Sequence, residues 1–126
     1  MGIPEALLIV CAFLPQQCEA ANHVTIVEGL TPTNMAAYYI PTDKRIVVSH
    51  NDNAAIEAGY LAHELTHAIQ SQATLADCHK REAEAYTVQA NLWSAYHGHD
   101  QKYTSPKGWV DLMVAVDCGT PSGTPR

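Results

Sequence analysis

Basic residues are scarce in this chain: seven Lys and Arg stand against thirteen Asp and Glu in 126 residues, a formal net charge of −6. With no basic patch to neutralise phosphates, no nucleic acid is expected as a partner. Long apolar runs are missing too. No segment reaches the ~20 apolar residues of a spanning helix, so no membrane span is expected. No Cys-x-x-Cys occurs, which argues against a four-thiolate zinc site. The four cysteines, Cys11, Cys18, Cys78 and Cys118, are too sparse for a disulfide scaffold. They allow three pairings in an oxidising location, and free thiols in a reducing cell fit equally well. There is no internal repeat. Charged residues make up only 16% against 47% hydrophobic, which excludes a disordered chain. A chain of this length buries one core but not two. Residues 1–119 are therefore expected to form a single domain, followed by a disordered tail over 120–126 rich in Gly, Pro, Ser and Thr.

What is present is concentrated in one motif, His63-Glu64-Leu65-Thr66-His67. Residues 54–70 read as one helix, on which positions four apart share a face. His63 and His67 can then both offer a ring nitrogen to one Zn²⁺ at about 2.0–2.1 Å. Glu64, roughly 100° round the helix, is left to act on a water as general base. Small apolar residues crowd the motif: Ala58, Gly59, Leu61, Ala62, Leu65, Ala68 and Ile69. Two surface histidines on an amphipathic helix would not be embedded in this way, and a buried histidine pair needs a partner.

A hydrolytic zinc site needs a third protein ligand and one open position. Asp77, Cys78, His79, Glu82 and Glu84 are the candidates, at or near the start of a second helical run over 77–96. With Glu82 at zero, Ala85, Tyr86, Leu92, Trp93 and Tyr96 fall within about 80° of it, and Glu84 lies at about 200°. Glu82 is thus nearer the inward face and Glu84 is the runner-up. An ordinary charged helix start is the structural alternative for both.

These residues resemble the gluzincin metallopeptidases. The resemblance runs from Arg45 to Trp93 and rests on HExxH followed by Arg81-Glu82-Ala83-Glu84-Ala85-Tyr86. It implies Glu82 as the ligand glutamate and Ala85 as the small residue of the pattern Glu-x-x-Ala/Ser-Asp. Tyr86 stands where those families usually have Asp, so Tyr86 or another group such as Gln89 must orient an imidazole. In size the chain is similar to the single-domain minigluzincins. The implied fold is α+β and zincin-like, a small mixed sheet packed on the HExxH helix and a second ligand-bearing helix. The implied activity is hydrolysis of a peptide or protein substrate with one Zn²⁺ per chain. Substrate would lie along an edge strand, either 45–49, with Ile46, Val47 and Val48, or 35–40. Gluzincins often use Tyr or His as the oxyanion donor, and Tyr86, Tyr96, His79 and His97 all remain open. A non-catalytic zinc-binding scaffold or regulatory protein with the same fold is the rival, against which Glu64 argues because ligation does not need it.

Elsewhere, 23–27, 35–40 and 45–49 read as strands, with a turn at Pro41-Thr42-Asp43-Lys44. His50-Asn51-Asp52-Asn53 links the last strand to the HExxH helix and supplies its N-cap from Asp52 or Asn53. The apolar run 6–14 before Cys18-Glu19-Ala20 reads as a first helix from Pro4 to Leu14 or as a secretory signal without basic residues. The localisation stays unassigned, intracellular or secreted. Gly98 is the expected C-cap of the second helix, and His97 with His99 reads as a solvated helix end. A last helix is expected from Ser105-Pro106 to about Val116, with Trp109, Leu112, Met113 and Val116 in the core.

Overall fold

The computed structural model describes residues 3–31, 35–73, 77–97 and 108–119. In chain order the elements are α1 (Ile3–Phe13), α2 (Pro15–Ala21), β1 (Thr25–Glu28), β2 (Ala37–Ile40), β3 (Arg45–Val48), α3 (Ala54–Ala73), α4 (Cys78–Tyr96) and α5 (Trp109–Cys118). The class is α+β, as the sequence suggests. Residues 120–126 lie outside the described residues, as do Gly98, His99 and Ser105-Pro106. No helix among the described residues is long and apolar enough to cross a membrane.

Local chemistry sets the helix starts. Asn53 Oδ1 accepts from the backbone N–H groups of Ala55 (3.0 Å) and Ile56 (3.3 Å), which makes Asn53 the cap of α3. Asp77 caps α4 by accepting from His79 N at 2.9 Å. Pro15 disfavours helical backbone at Leu14, so the apolar N-terminal run splits into α1 and α2. The Cys11–Cys18 disulfide joins these two helices.

The sheet has the order β1-β3-β2, with β1 parallel and β2 antiparallel to β3. This corrects one expectation. β3 is the middle strand, paired along both sides, so Ile46, Val47 and Val48 have no free edge to offer a substrate. All three are buried, and a continuous β-branched run is the mark of an interior strand. The other candidate segment contains β2, which is an edge.

The core lies between the sheet and the helices, from Ala6 and Val10 of α1 through Ile46 and Val48 to Ala58, Leu61, Ala62 and Leu65 of α3 and Leu92 of α4. α3 runs through its middle and is covered by both α1 and α4. Buried Gly59 lets α4 come close. A Cβ placed there would lie 2.6 Å from Cζ2 of Trp93, whose Nε1–H donates to the Ala55 carbonyl at 2.9 Å.

α5 departs from expectation in two ways. It continues past Val116 to Cys118, where the Cys78–Cys118 disulfide ties its last turn to the first turn of α4. Its buried residue is Val114, while Leu112 (57%) and Val116 (58%) are exposed and so are not core. Trp109 stacks edge-on against Tyr86 and lies against Trp93, and these rings decide which face turns inward.

Candidate metal centre

α3 presents His63 and His67 one turn apart, and α4 brings Glu82 across from them. His63 Nε2 lies 3.0 Å from Glu82 Oε1, and His67 Nε2 lies 3.2 Å from Oε1 and 3.1 Å from Oε2. Ligand atoms around a tetrahedral Zn²⁺ at the usual bond lengths are separated by about 3.3 Å. Two imidazoles and a carboxylate already gathered to that spacing fit a zinc ion.

The outer ring nitrogens are also held. His63 Nδ1 bonds Gln89 Oε1 at 2.9 Å, and His67 Nδ1 bonds Gln70 Oε1 at 2.8 Å. Gln70 is fixed in turn, because its Nε2 donates to the Arg81 carbonyl (2.9 Å) and to Glu84 Oε1 (2.7 Å). Its oxygen must then face His67. With these amide oxygens as partners each Nδ1 donates, and a metal between the side chains would take the Nε2 lone pairs on the Glu82 side, the tautomer a metal ligand needs. Glu84, the runner-up, is not among the gathered carboxylates. Cys78 is spent in its disulfide, and His79 Nε2 bonds the Gly119 carbonyl at 2.9 Å.

Charge is distributed accordingly. Burial alone would raise the Glu82 carboxyl, but without a metal a proton taken up on Nε2 of His63 and of His67 is donated to it and brings it down to about 2. Burial lowers His67, yet the Glu82 carboxylate more than offsets this and the net shift is upward. Glu64 is 8% exposed and lines the same cavity, and burial pushes its carboxyl up. The cavity, about 600 Å³, is bounded by Met35, Ala36 and Ala37 at β2 and by Met113 and Asp117 of α5.

Of the oxyanion candidates only Tyr86 reaches this cavity. Its ring packs edge-on against His63 with centroids 4.3 Å apart, and its hydroxyl donates to Asp117 Oδ2 at 2.6 Å. Burial and then Asp117 keep the phenol protonated well above its usual range. Tyr96 instead packs on Phe13 and His97, and neither it nor His97 lines the cavity. Gln70 and Asp117 were not picked out from the sequence. Gln70 stands three residues after His67 on the same helix face, a signal that could have found it. Asp117 is 31 residues from Tyr86 and has no local signature.

Residues 18–98 match the family model Peptidase_M78, the IrrE N-terminal-like domain, over more than half of the chain. The chain belongs to this family. As a Peptidase_M78 domain it is metallopeptidase-like, and its His and Glu groups can hold a metal. No curated protein and no solved structure matches it. The matched region includes α3 and α4, and with them all three gathered residues of this Peptidase_M78 domain; α1 and α5 lie outside it.

Outer partners of ligand histidines typically carry 10–100-fold in metal affinity. Gln70→Leu should therefore weaken zinc binding by about that factor, as read by competition with a chromogenic chelator at a temperature where a melting curve shows the variant folded.

Proposed function

We propose that this chain is a zinc-dependent peptidase in which His63, His67 and Glu82 hold the metal and Glu64 is the general base. The observation that carries the reading is the donor set itself: two imidazoles and one carboxylate converging beside a buried glutamate that none of them needs. A bound zinc would supply a Lewis acid for the scissile carbonyl and lower the pKa of a water towards about 7. Glu64 takes the proton of that water and hands it to the leaving amine. Met35, Ala36 and Ala37, which lead into the edge strand β2, line the cavity, and that edge can pair with an extended peptide through main-chain hydrogen bonds, which are indifferent to side chains. Tyr86 is the donor to the carbonyl oxygen as charge builds there, exchanging Asp117 for the substrate.

Elemental mass spectrometry tests the ligand set. The purified wild type should carry one His67-dependent zinc equivalent, which His67→Ala removes and Glu82→Gln weakens, whereas Glu84→Gln leaves it in place. A folded wild type with no His67-dependent zinc, even after incubation with the metal, would remove the reading.

A further inference from the structure

A second group of potential ligands lies at the other end of the active-site helix. Glu28 ends β1, His50 follows β3, and Glu57 sits in the first turn of α3. His50 Nδ1 is 3.3 Å from Glu28 Oε2 and 3.6 Å from Glu57 Oε1. Those separations are again close to the edge of a metal coordination shell, about 3.3 Å for zinc.

Two further observations point to a ligand. Glu57 is wholly buried, and although its Oε1 accepts from Asn51 N at 2.9 Å, its Oε2 has no hydrogen-bond partner among the described residues. A buried carboxylate oxygen left bare costs heavily. The second is the orientation of His50. Asp52 Oδ1 lies 2.9 Å from His50 Nε2 and holds a proton there, which turns Nδ1 towards the two glutamates. A lone pair facing two carboxylates is repulsive unless a positive charge lies between them. A proton on Nδ1 serves only the oxygens nearest it, Glu28 Oε2 and Glu57 Oε1. A divalent cation reaches all three side chains.

We propose that Glu28, His50 and Glu57 form a second divalent-cation site, oriented by Asp52, that ties β1, the β3–α3 link and the start of α3 together. A donor set of one imidazole and two carboxylates selects a transition-series ion such as Zn²⁺ or Mn²⁺ over Ca²⁺ or Mg²⁺. The site is separate from the first. Glu57 precedes His63 by six residues, about 9 Å along the helix axis.

The test uses the full chain, stripped with chelator, with the first centre disabled. Calorimetric titration with Zn²⁺ should give two equivalents in the wild type, one in His67→Ala and none in His67→Ala/His50→Ala. Glu28→Gln, an exposed change that leaves the core alone, should weaken binding at least tenfold in the His67→Ala background. Zn²⁺ should raise the melting temperature of His67→Ala but not that of the double variant. If folded His67→Ala takes up no Zn²⁺, or if the double variant still binds it, the second site is overturned. Single His50→Ala reports on the first centre independently, through its remaining His67-dependent equivalent.

Discussion

Glu64→Gln should keep its zinc and lose peptide hydrolysis, by roughly 10²–10⁴-fold for the proton transfer alone. The substitution is nearly isosteric, so the 8% exposed site keeps its shape and its neighbours. What disappears is the carboxylate proposed to take a proton from the water; among the described carboxylates nearby, Glu82 faces His63 and His67, Glu84 accepts from Gln70 and Asp117 accepts from Tyr86. The measurement is zinc content beside single-turnover cleavage of a fluorogenic peptide. This pair of readings also separates a peptidase from a scaffold that merely holds zinc. A scaffold shows metal without turnover in the wild type, and cleavage that survives the change would remove Glu64 as the base.

The second large effect is structural. Gly59→Ala should destabilise the fold although alanine is the better helix former. Relief of the glycine penalty contributes about 0.5–1 kcal/mol. Against it, the new methyl overlaps the Trp93 indole, and overpacking of this kind costs about 1–3 kcal/mol. The indole cannot simply swing aside, because its Nε1–H is bonded to the Ala55 carbonyl and its face meets Trp109. Losing that hydrogen bond adds about 0.5–1.5 kcal/mol. The net loss, about 1–3 kcal/mol, corresponds to roughly 3–6 °C of melting temperature per kcal/mol in a domain of this size. Because α4 carries Glu82, forcing α4 away should also weaken zinc binding, an effect that a thermal melt with and without zinc reads directly. An unchanged melt would mean that the α3–α4 contact yields freely.

The legible parts of this molecule are those whose information is local. HExxH fixes its two imidazoles by helical periodicity, and phase along α4 separated Glu82 from exposed Glu84 because both sit on one rigid element. The same phase argument placed Tyr96 near the inward face, but at the C-terminal end of α4 the core has run out, and Tyr96 meets Phe13 at the surface. Gln89 could be named as an orienting group, whereas Gln70 was missed although its spacing to His67 is helical. Strand order was not legible: Ile46, Val47 and Val48 make a strong strand wherever it falls, and only the pairing of β1 and β2 on either side makes it the middle one. Nor was the face of α5, whose apolar residues surround most of the helix and whose orientation is set by Tyr86 and Cys78, from a distant part of the chain, through Asp117 and Cys118.

The Cys78–Cys118 bond makes the stretch from α4 through α5 a covalently closed ring. Scission of the backbone anywhere between His97 and Gly108 would open the ring without releasing α5. The product would be a two-chain molecule of unchanged mass but for one added water. Asp117 would still be held beside Tyr86, and Met113 at the cavity wall. A nick there is silent on a non-reducing gel. Only a nick together with a thiol frees the segment that walls one side of the cleft.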